Sequence, residues 1–370
     1  MSEDLRRALL EKLGKADAQL GLNPHPTPAP APASASASAP SGLPTWRDFF
    51  QQNARVQAGD RGLNFNTYFS LPAVSDLASD PTSVPIFIFH HGAGSSALSF
   101  APLAKALREQ LGGRCGAFAF DARAHGLTAP ADPAAFPADY SLDAFVRDFQ
   151  ELIAWFDHTH LQALPASTTY TLVIAGHSLG GSICTSVYQS LEPALRAKVT
   201  GLAMLDIVEE AAILALTKVD SFLSNTPNVF PSYSSAIDWH VKRGLSRLRS
   251  SAEIVIPSLF ASTASGKVVR RTNLQLFKPF WDTWFHSLSH RFVALPTSKL
   301  LILAGNDNLD RELMIGQMQG KFQLVVFQES GHFIEEDAPV KTAVTLVDFW
   351  RRNDTKSVVI KTNWTKKANT

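Results

Sequence analysis

The sequence predicts an α/β fold in which a mostly parallel sheet is covered by helices on both faces. Two observations predict it. Apolar or β-branched runs of strand length alternate with helical patterns along most of the chain. Several of these runs, at 86–89, 172–175 and 300–303, are apolar on both faces, as expected for parallel strands buried between two layers of helices.

The predicted elements follow from these patterns in chain order. Strands are predicted at 65–71, 85–90, 115–120, 170–175, 200–205, 298–304 and 322–327. Helices are predicted at 100–111, 141–159, 179–190, 309–319 and 339–352. Ser141 is the expected N-cap of the second helix, because a serine oxygen accepts a hydrogen bond from the first helical turn. Right-handed crossovers place the helices on both faces of the sheet.

Composition divides the chain into a low-complexity start, a core and an insertion. Residues 1–43 combine a short charged amphipathic helix with a linker rich in Pro, Ala and Ser, which we expect to be disordered because it cannot offset its ordering entropy. The core is predicted at 44–208 and 298–360, with a tail at 361–370. Residues 209–297 are too many for an ordinary connection. They predict a cap inserted over the carboxyl edge of the sheet.

Composition also excludes several classes of function. The 370 residues are 45% hydrophobic and 18% charged, with a formal net charge of +1, so no global field favours nucleic acid or an anionic membrane. We find neither a secretory signal nor a run approaching the roughly 18 apolar residues of a membrane span. The two cysteines, Cys115 and Cys184, suit a reducing compartment. A cytoplasmic or nuclear location is expected.

The strongest chemical signal is Gly176-His177-Ser178-Leu179-Gly180, which has the form G-x-S-x-G. It falls between a predicted strand and a predicted helix. A sharp strand-to-helix turn of this kind exposes the serine hydroxyl above the sheet, and the flanking small residues permit close backbone approach. Ser178 is therefore the predicted nucleophile.

A serine hydroxyl is a weak nucleophile until a base removes its proton. Ser330-Gly331-His332-Phe333 follows the last predicted strand, and it makes His332 the predicted base. The histidines at 158, 160, 286 and 290 are interpreted as surface or packing residues, because their spacing fits no good metal site. The chemistry requires neither a metal nor an organic cofactor.

Two carboxylates compete for the role of the acid that orients the imidazole. Asp307 follows the strand at 298–304, and Asp206 follows the strand at 200–205. Both satisfy the chain order Ser, Asp, His. The residues alone favour Asp307 slightly, which would leave Asp206 as a strand-end or cap-anchoring residue.

An oxyanion hole requires two backbone N–H donors near the nucleophile. One is predicted at Leu179, directly after Ser178, and the other at Ala93 in the loop His91-Gly92-Ala93-Gly94. His91 is interpreted as a residue that braces this loop. Asp121 and Arg123 are predicted to pair with each other and fix neighbouring loops, with contact between Arg123 and an anionic substrate group as the alternative.

Taken together, these blocks resemble the protein phosphatase methylesterase family, whose α/β-hydrolase members demethylate the C-terminal leucine of the protein phosphatase 2A catalytic subunit. The resemblance spans about 85–345. It is carried by 91–99, 121–126, 176–181, Leu205-Asp206-Ile207-Val208-Glu209, 280–285 and, most specifically, Gly316-Gln317-Met318-Gln319-Gly320-Lys321-Phe322. General hydrolase chemistry does not demand the last of these.

The resemblance implies roles for individual residues. It makes Ser178 the nucleophile and His332 the base, and it gives the acid's role to Asp206, against the slight preference for Asp307. It implies that Met318 contacts the phosphatase. The aromatic residues Trp281 and Trp284 are expected to shape a groove for the methylated C-terminal tail, since aromatic anchors supply much of such binding.

The implied function is removal of that methyl ester by acyl transfer, with the phosphatase 2A catalytic subunit as partner. Two alternatives stay open. One is a general cytosolic carboxylesterase acting on small esters with the same three residues. The other is a phosphatase-binding regulator whose catalysis is secondary.

Overall fold

The computed structural model describes residues 42–72, 83–134, 136, 138–305 and 309–354. The predicted N-terminal helix, nearly all of the linker, the C-terminal tail and Asp307 lie outside the described residues. No helix within the described ranges combines the length and apolar character that crossing a membrane requires.

The strands occupy the positions that the apolar runs predict, with several short ones in addition. They are β1 (Gln52–Val56), β2 (Leu63–Ser70), β3 (Val84–His90), β4 (Gly116–Phe120), β5 (Ala129–Pro130), β6 (Tyr170–His177), β7 (Val199–Leu205), β8 (Val229–Phe230), β9 (Phe260–Ser262), β10 (Val268–Arg270), β11 (Ser298–Ala304) and β12 (Gln323–Phe327).

Helices follow most of the parallel strands of the main sheet, and several more lie between β7 and β11. They are α1 (Ala101–Gln110), α2 (Leu142–Phe156), α3 (Leu179–Ser190), α4 (Pro193–Arg196), α5 (Glu209–Leu216), α6 (Val219–Asn225), α7 (Tyr233–Lys242), α8 (Arg249–Leu259), α9 (Leu288–Ala294), α10 (Arg311–Met318), α11 (Ile334–Asp337) and α12 (Pro339–Asn353). Short 3₁₀ segments cover Trp46–Asp48, Ala97–Phe100 and Leu274–Thr283, and a π-helical turn, Asp157–Leu161, extends α2. Ser141 caps α2 as predicted, accepting the N–H of Ala144.

The main sheet has nine strands in the order β1-β2-β4-β3-β6-β7-β11-β12, with β5 paired to β2. Strands β4, β3, β6, β7, β11 and β12 pair in parallel in that order, whereas β2 pairs antiparallel with both β1 and β4 at one edge. The carboxyl ends of the parallel strands therefore meet at one edge of the sheet. The predicted α/β class is confirmed.

The two-faced apolar strands build two core layers. Ile86 and Ile88 of β3 face one layer together with α2 and α3. Phe87 and Phe89 face the other together with α1 and α12. Because side chains alternate between faces along a strand, burial on both faces requires the continuous apolar runs seen in the sequence.

The interval between β7 and β11 contains α5 to α9 and a small sheet of order β8-β10-β9. A separate apolar cluster, which includes Phe230, Ile237 and Phe260, holds this small sheet against α7 and α8. The described residues at 209–297, where the sequence predicts an insertion, therefore form helices and a three-stranded sheet. Its role as a cap stays a prediction.

Candidate active site

Ser178 lies in the turn between β6 and α3, in a backbone conformation that few residues adopt. Its φ is 52° and its ψ is −121°. A Cβ added at Gly176 would lie 2.1 Å from the carbonyl oxygen of Gly180, and one added at Gly180 would lie 2.0 Å from that of His90. Side chains at either glycine are therefore excluded. The glycines allow a tight turn that presents the Ser178 hydroxyl at the carboxyl edge of the sheet.

Asp206 and His332 meet at the same edge. Oδ2 of Asp206 lies 2.7 Å from Nδ1 of His332, and Oδ1 accepts the N–H of Ala304 at 2.7 Å. Asp206 is buried, while the imidazole is half exposed. A carboxylate bound to Nδ1–H fixes the tautomer whose Nε2 can accept a proton. Of the two candidate acids, the structure brings Asp206 to His332. Asp307 lies outside the described residues.

His177 joins the nucleophile turn to the His332 loop. It directly precedes Ser178, and its ring centroid lies 4.6 Å from that of His332. Nε2–H of His177 donates to the carbonyl oxygen of His332 at 2.8 Å. Ser178 and Asp206 are also two of the four described non-glycine residues with positive φ. Strained backbone of this kind is concentrated at functional sites.

The loop at 91–94 lies against the nucleophile turn, since a Cβ at Gly92 would approach Cβ of Ser178 to 3.0 Å. His125 accepts the N–H of Gly94 through Nε2 at 2.9 Å. That bond already engages the Gly94 N–H. It therefore favours the neighbouring Ala93, with Leu179, as the predicted oxyanion donors.

Buried neutral histidines brace this loop. Nδ1–H of His91 donates to the carbonyl oxygen of Gly92 at 2.8 Å, and its Nε2 accepts the N–H of Ala122 at 3.0 Å. Nδ1–H of His125 donates to the carbonyl oxygen of Arg123 at 2.8 Å. Burial lowers the pKa of His91 and of His125 to about 3. Each ring thus uses one nitrogen as donor and the other as acceptor, and the interpretation of His91 as a bracing residue is supported.

Asp121 and Arg123 also fix loops, but with other partners than predicted. Arg123 pairs with Asp148 of α2 through Nε and Nη2, at 2.6 and 2.8 Å. Asp121 accepts the N–H of Ala97 at 2.9 Å and the amide of Asn66 at 2.8 Å. The predicted pairing between Asp121 and Arg123 is wrong. The buried Asp148 carboxylate offers two oxygens, which is the bidentate partner that a guanidinium favours. Arg123 is itself buried in this pair, so it does not face an anionic substrate group.

Comparison with known proteins decides the family. The chain matches the α/β hydrolase family over residues 87–345. It is 60% identical over 324 residues to protein phosphatase methylesterase 1 of Saccharomyces cerevisiae, covering 88% of this chain and 80% of that protein. It is 42% identical over 332 residues to the protein of the same name from Aspergillus oryzae, covering 85% and 73%. The chain belongs to the protein phosphatase methylesterase family.

Solved structures agree on the fold. E-2-(acetamidomethylene)succinate hydrolase superposes with a TM-score of 0.60 at 17% identity, covering 80% of this chain and 98% of that one. The peroxisomal α/β-hydrolase Lpx1 of Saccharomyces cerevisiae gives 0.54 at 14% identity, covering 86% and 91%. The α/β-hydrolase fold implied by the resemblance to the methylesterase family is confirmed.

The residues that the family resemblance links to the partner differ in exposure. Met318, at the end of α10, is 83% exposed, and the neighbouring Met314 and Ile315 are 50% and 44% exposed. By contrast, Trp284 is buried and donates its indole N–H to the carbonyl oxygen of Tyr140 at 2.9 Å. Trp281 is also buried in the main core. In this structure the rings of both tryptophans are buried in the apolar core. Their expected contribution to a groove for the methylated tail stays a prediction.

Glu209 is the last residue of the segment 205–209 that carries the family resemblance, and it has a structural role that the sequence did not indicate. Its two carboxylate oxygens accept the N–H of Ser287 at 2.8 Å and of Ser289 at 2.9 Å. The beginning of α5 is therefore tied to the beginning of α9. Anchoring of the insertion thus involves Glu209, three residues after Asp206.

Buried carboxyls lie behind His332, and sequence reasoning missed them. Glu335 and Glu336 of α11 both lie within hydrogen-bonding distance of the Ser99 hydroxyl, at 2.7 and 2.6 Å. Burial raises the pKa of Glu335 to about 8 and that of Glu336 well above its usual value. The sequence signal that could have indicated them is their position, three and four residues after the predicted base His332. Among the described residues, no group of three or more His, Cys, Asp or Glu side chains is arranged to hold a metal ion.

Proposed function

We propose that the protein removes the methyl ester from the C-terminal leucine of the protein phosphatase 2A catalytic subunit, with Ser178, His332 and Asp206 as catalytic residues. The observation that carries the proposal is the 2.7 Å contact between Asp206 and His332 beside the Ser178 turn. The 60% identity to a protein phosphatase methylesterase supports the substrate.

In the first step the Ser178 oxygen attacks the ester carbonyl carbon while Nε2 of His332 accepts the hydroxyl proton. The negative charge on Asp206 stabilises the imidazolium that forms. The tetrahedral intermediate then collapses, the C–O bond to the methoxy group breaks, and His332 returns the proton to the departing oxygen. Methanol leaves, and the leucine carbonyl is esterified to Ser178.

In the second step water repeats the attack on this acyl-enzyme. His332 takes a proton from water, the Ser178 oxygen becomes the leaving group and recovers that proton, and leucine is released as the free acid, which loses its proton to solvent to give the carboxylate. Both tetrahedral intermediates carry an oxyanion. Backbone N–H donors at Ala93 and Leu179 would each contribute about 10²- to 10³-fold in rate.

We further propose that the phosphatase docks on the exposed apolar face of α10, which includes Met314, Ile315 and Met318. Helix α10 begins after the loop that follows β11, at the carboxyl edge that carries Ser178, and Met318 is its last residue, at the end that leads to β12. A partner that covers these side chains removes apolar surface from water, which favours association.

Replacing Met318 by Glu is expected to raise KM for the methylated phosphatase by about 10-fold, because a charge would enter an apolar contact. Hydrolysis of a p-nitrophenyl ester should not change, since Met318 lies outside the catalytic residues. Val340→Glu is the matched control, because Val340 is 57% exposed on a different helix, α12. Equal KM values for Met318→Glu and the unsubstituted protein would place the docking surface elsewhere.

The experiment that tests the substrate assignment compares two substrates. Turnover of the methylated phosphatase catalytic subunit, followed as methanol release, should exceed that of p-nitrophenyl acetate in kcat/KM. A higher value for the small ester would instead support the general carboxylesterase. Binding of the phosphatase without methanol release would support the regulator.

A further inference from the structure

A chain of buried polar groups runs from α11 to the backbone of His332. Glu335 and Glu336 are 0% and 2% exposed. Oε1 of Glu335 lies 3.3 Å from Nδ1 of His177. The opposite nitrogen of that ring, Nε2, lies 2.8 Å from the carbonyl oxygen of His332. None of these buried groups is used by the acyl-transfer steps.

Proton counting at Ser99 shows that at least one of the two carboxyls is neutral. The Ser99 hydroxyl has one proton, yet its oxygen lies 2.7 Å from Glu335 and 2.6 Å from Glu336. It can donate to only one of them, so the other must carry a proton and donate to the Ser99 oxygen. Two ionised carboxylates at these distances would also repel each other in this buried site.

The His332 carbonyl determines where the His177 proton resides. A carbonyl oxygen only accepts hydrogen bonds, so Nε2 of His177 must carry the proton. Burial lowers the pKa of His177 well below its usual value, which keeps the ring neutral and leaves Nδ1 as an acceptor. Within the described part of the chain, this buried Nδ1 has no well-formed hydrogen bond. An acceptor at this position requires an O–H donor, and the Glu335 carboxyl is the group that faces it.

We propose that Glu335 is a positioning residue that acts in its protonated form: its O–H donates to Nδ1 of His177, and Nε2–H of His177 in turn holds the carbonyl of His332. The inference rests on the proposed role of His332 as base. In this arrangement Glu336 donates to Ser99 and Ser99 donates to Glu335. Each hydrogen bond from Glu336 to the His332 carbonyl then has one donor and one acceptor.

Ionisation of Glu335 reverses this arrangement. A carboxylate demands a proton on Nδ1 of His177, and the neutral ring then presents a lone pair to the His332 carbonyl. The titratable groups around Glu335 are His177 and His332 on one side and Glu336 and Asp337 on its own helix, with Arg247 paired to Asp337 and His91 acting on His177. Burial raises the pKa of Glu335 to about 8. The series of hydrogen bonds from Glu336 to the His332 carbonyl is therefore intact below that pH and is lost above it.

The test uses neutral replacements of the two carboxyls. Glu335→Gln keeps a permanent N–H donor toward His177, and Ser99 can then accept from the same amide group and donate to Glu336, so kcat for p-nitrophenyl acetate should resemble that of the unsubstituted protein at pH 7. It should also lack the decline in kcat that we expect for the unsubstituted protein above about pH 8. Glu335→Met keeps the volume without the donor, and its kcat should fall roughly 10- to 100-fold with little change in KM. Glu336→Gln, the matched control, should retain the alkaline decline.

A second readout does not depend on activity. In ¹⁵N-histidine spectra at pH 7, His177 should show a protonated Nε2 and an unprotonated Nδ1. The tautomer should reverse above about pH 8 in the unsubstituted protein but not in Glu335→Gln. Melting curves identify any variant that fails to fold. A proton on Nδ1 of His177 at pH 7, or an alkaline decline that persists in Glu335→Gln, would overturn the proposal even where ester hydrolysis itself is confirmed.

Discussion

Replacing Ser178 by Ala is expected to lower methanol release from the methylated phosphatase by about 10⁵- to 10⁶-fold. The substitution removes the oxygen that forms the acyl-enzyme, and the remaining His332 and oxyanion donors can only assist a slow direct attack by water. The glycines around the turn are unchanged, so the fold should be retained. The measurement is single-turnover methanol release at saturating enzyme.

Ser186→Ala is the matched control for this substitution. Ser186 lies on the same helix, α3, and has no role in the proposed mechanism, so its replacement should leave the rate near that of the unsubstituted protein. Ser178→Ala should still bind the phosphatase. If it released methanol at more than about one-hundredth of the normal rate, another group would have to be the nucleophile.

Replacing Asp206 by Asn is expected to lower kcat by about 10⁴-fold. The Asn oxygen can still accept the N–H of Ala304, so the local backbone should hold. Its NH₂ group, however, faces Nδ1 of His332 and converts that nitrogen into an acceptor. The proton then resides on Nε2, where it prevents His332 from accepting the proton of Ser178. The pre-steady-state rate of acyl-enzyme formation measures this effect.

Asp307→Asn is the natural comparison, because Asp307 is the acid that the residues alone favour slightly. It should lower kcat by less than about 10-fold, since the structure brings Asp206 to His332. The reverse ranking of the two variants would return the acid's role to Asp307.

Much of the fold could be predicted because strand burial leaves a clear pattern. The two-faced apolar runs mark β3, β6 and β11, and the helices that follow them begin within about two residues of the predicted positions. Ser178 and His332 could be identified as candidate catalytic residues because each stands in a short motif after a strand. The small sheet β8-β10-β9 could not be predicted, because strands of two or three residues carry too little periodicity.

The choices that the residues left open depend on three-dimensional contacts. Asp206 and Asp307 each follow a predicted strand in the sequence, so chain position does not choose between them, whereas the structure brings Asp206 to 2.7 Å from His332. The partner of Arg123 is Asp148, on a helix whose burial the local sequence does not reveal. In the same way, the aromatic cluster at 280–285 predicts a groove, and whether such rings face solvent or pack inside depends on neighbouring elements; Trp284 packs in the core.

The most direct test of the central claim identifies the residue that becomes covalently modified. A fluorophosphonate probe reacts with a serine only when a neighbouring base activates it. Mass spectrometry of the digested protein is expected to locate the phosphonyl adduct on Ser178, with labelling slowed strongly in Asp206→Asn. An adduct on a different residue, or ester hydrolysis that continues at full rate after Ser178 has been labelled, would contradict the account.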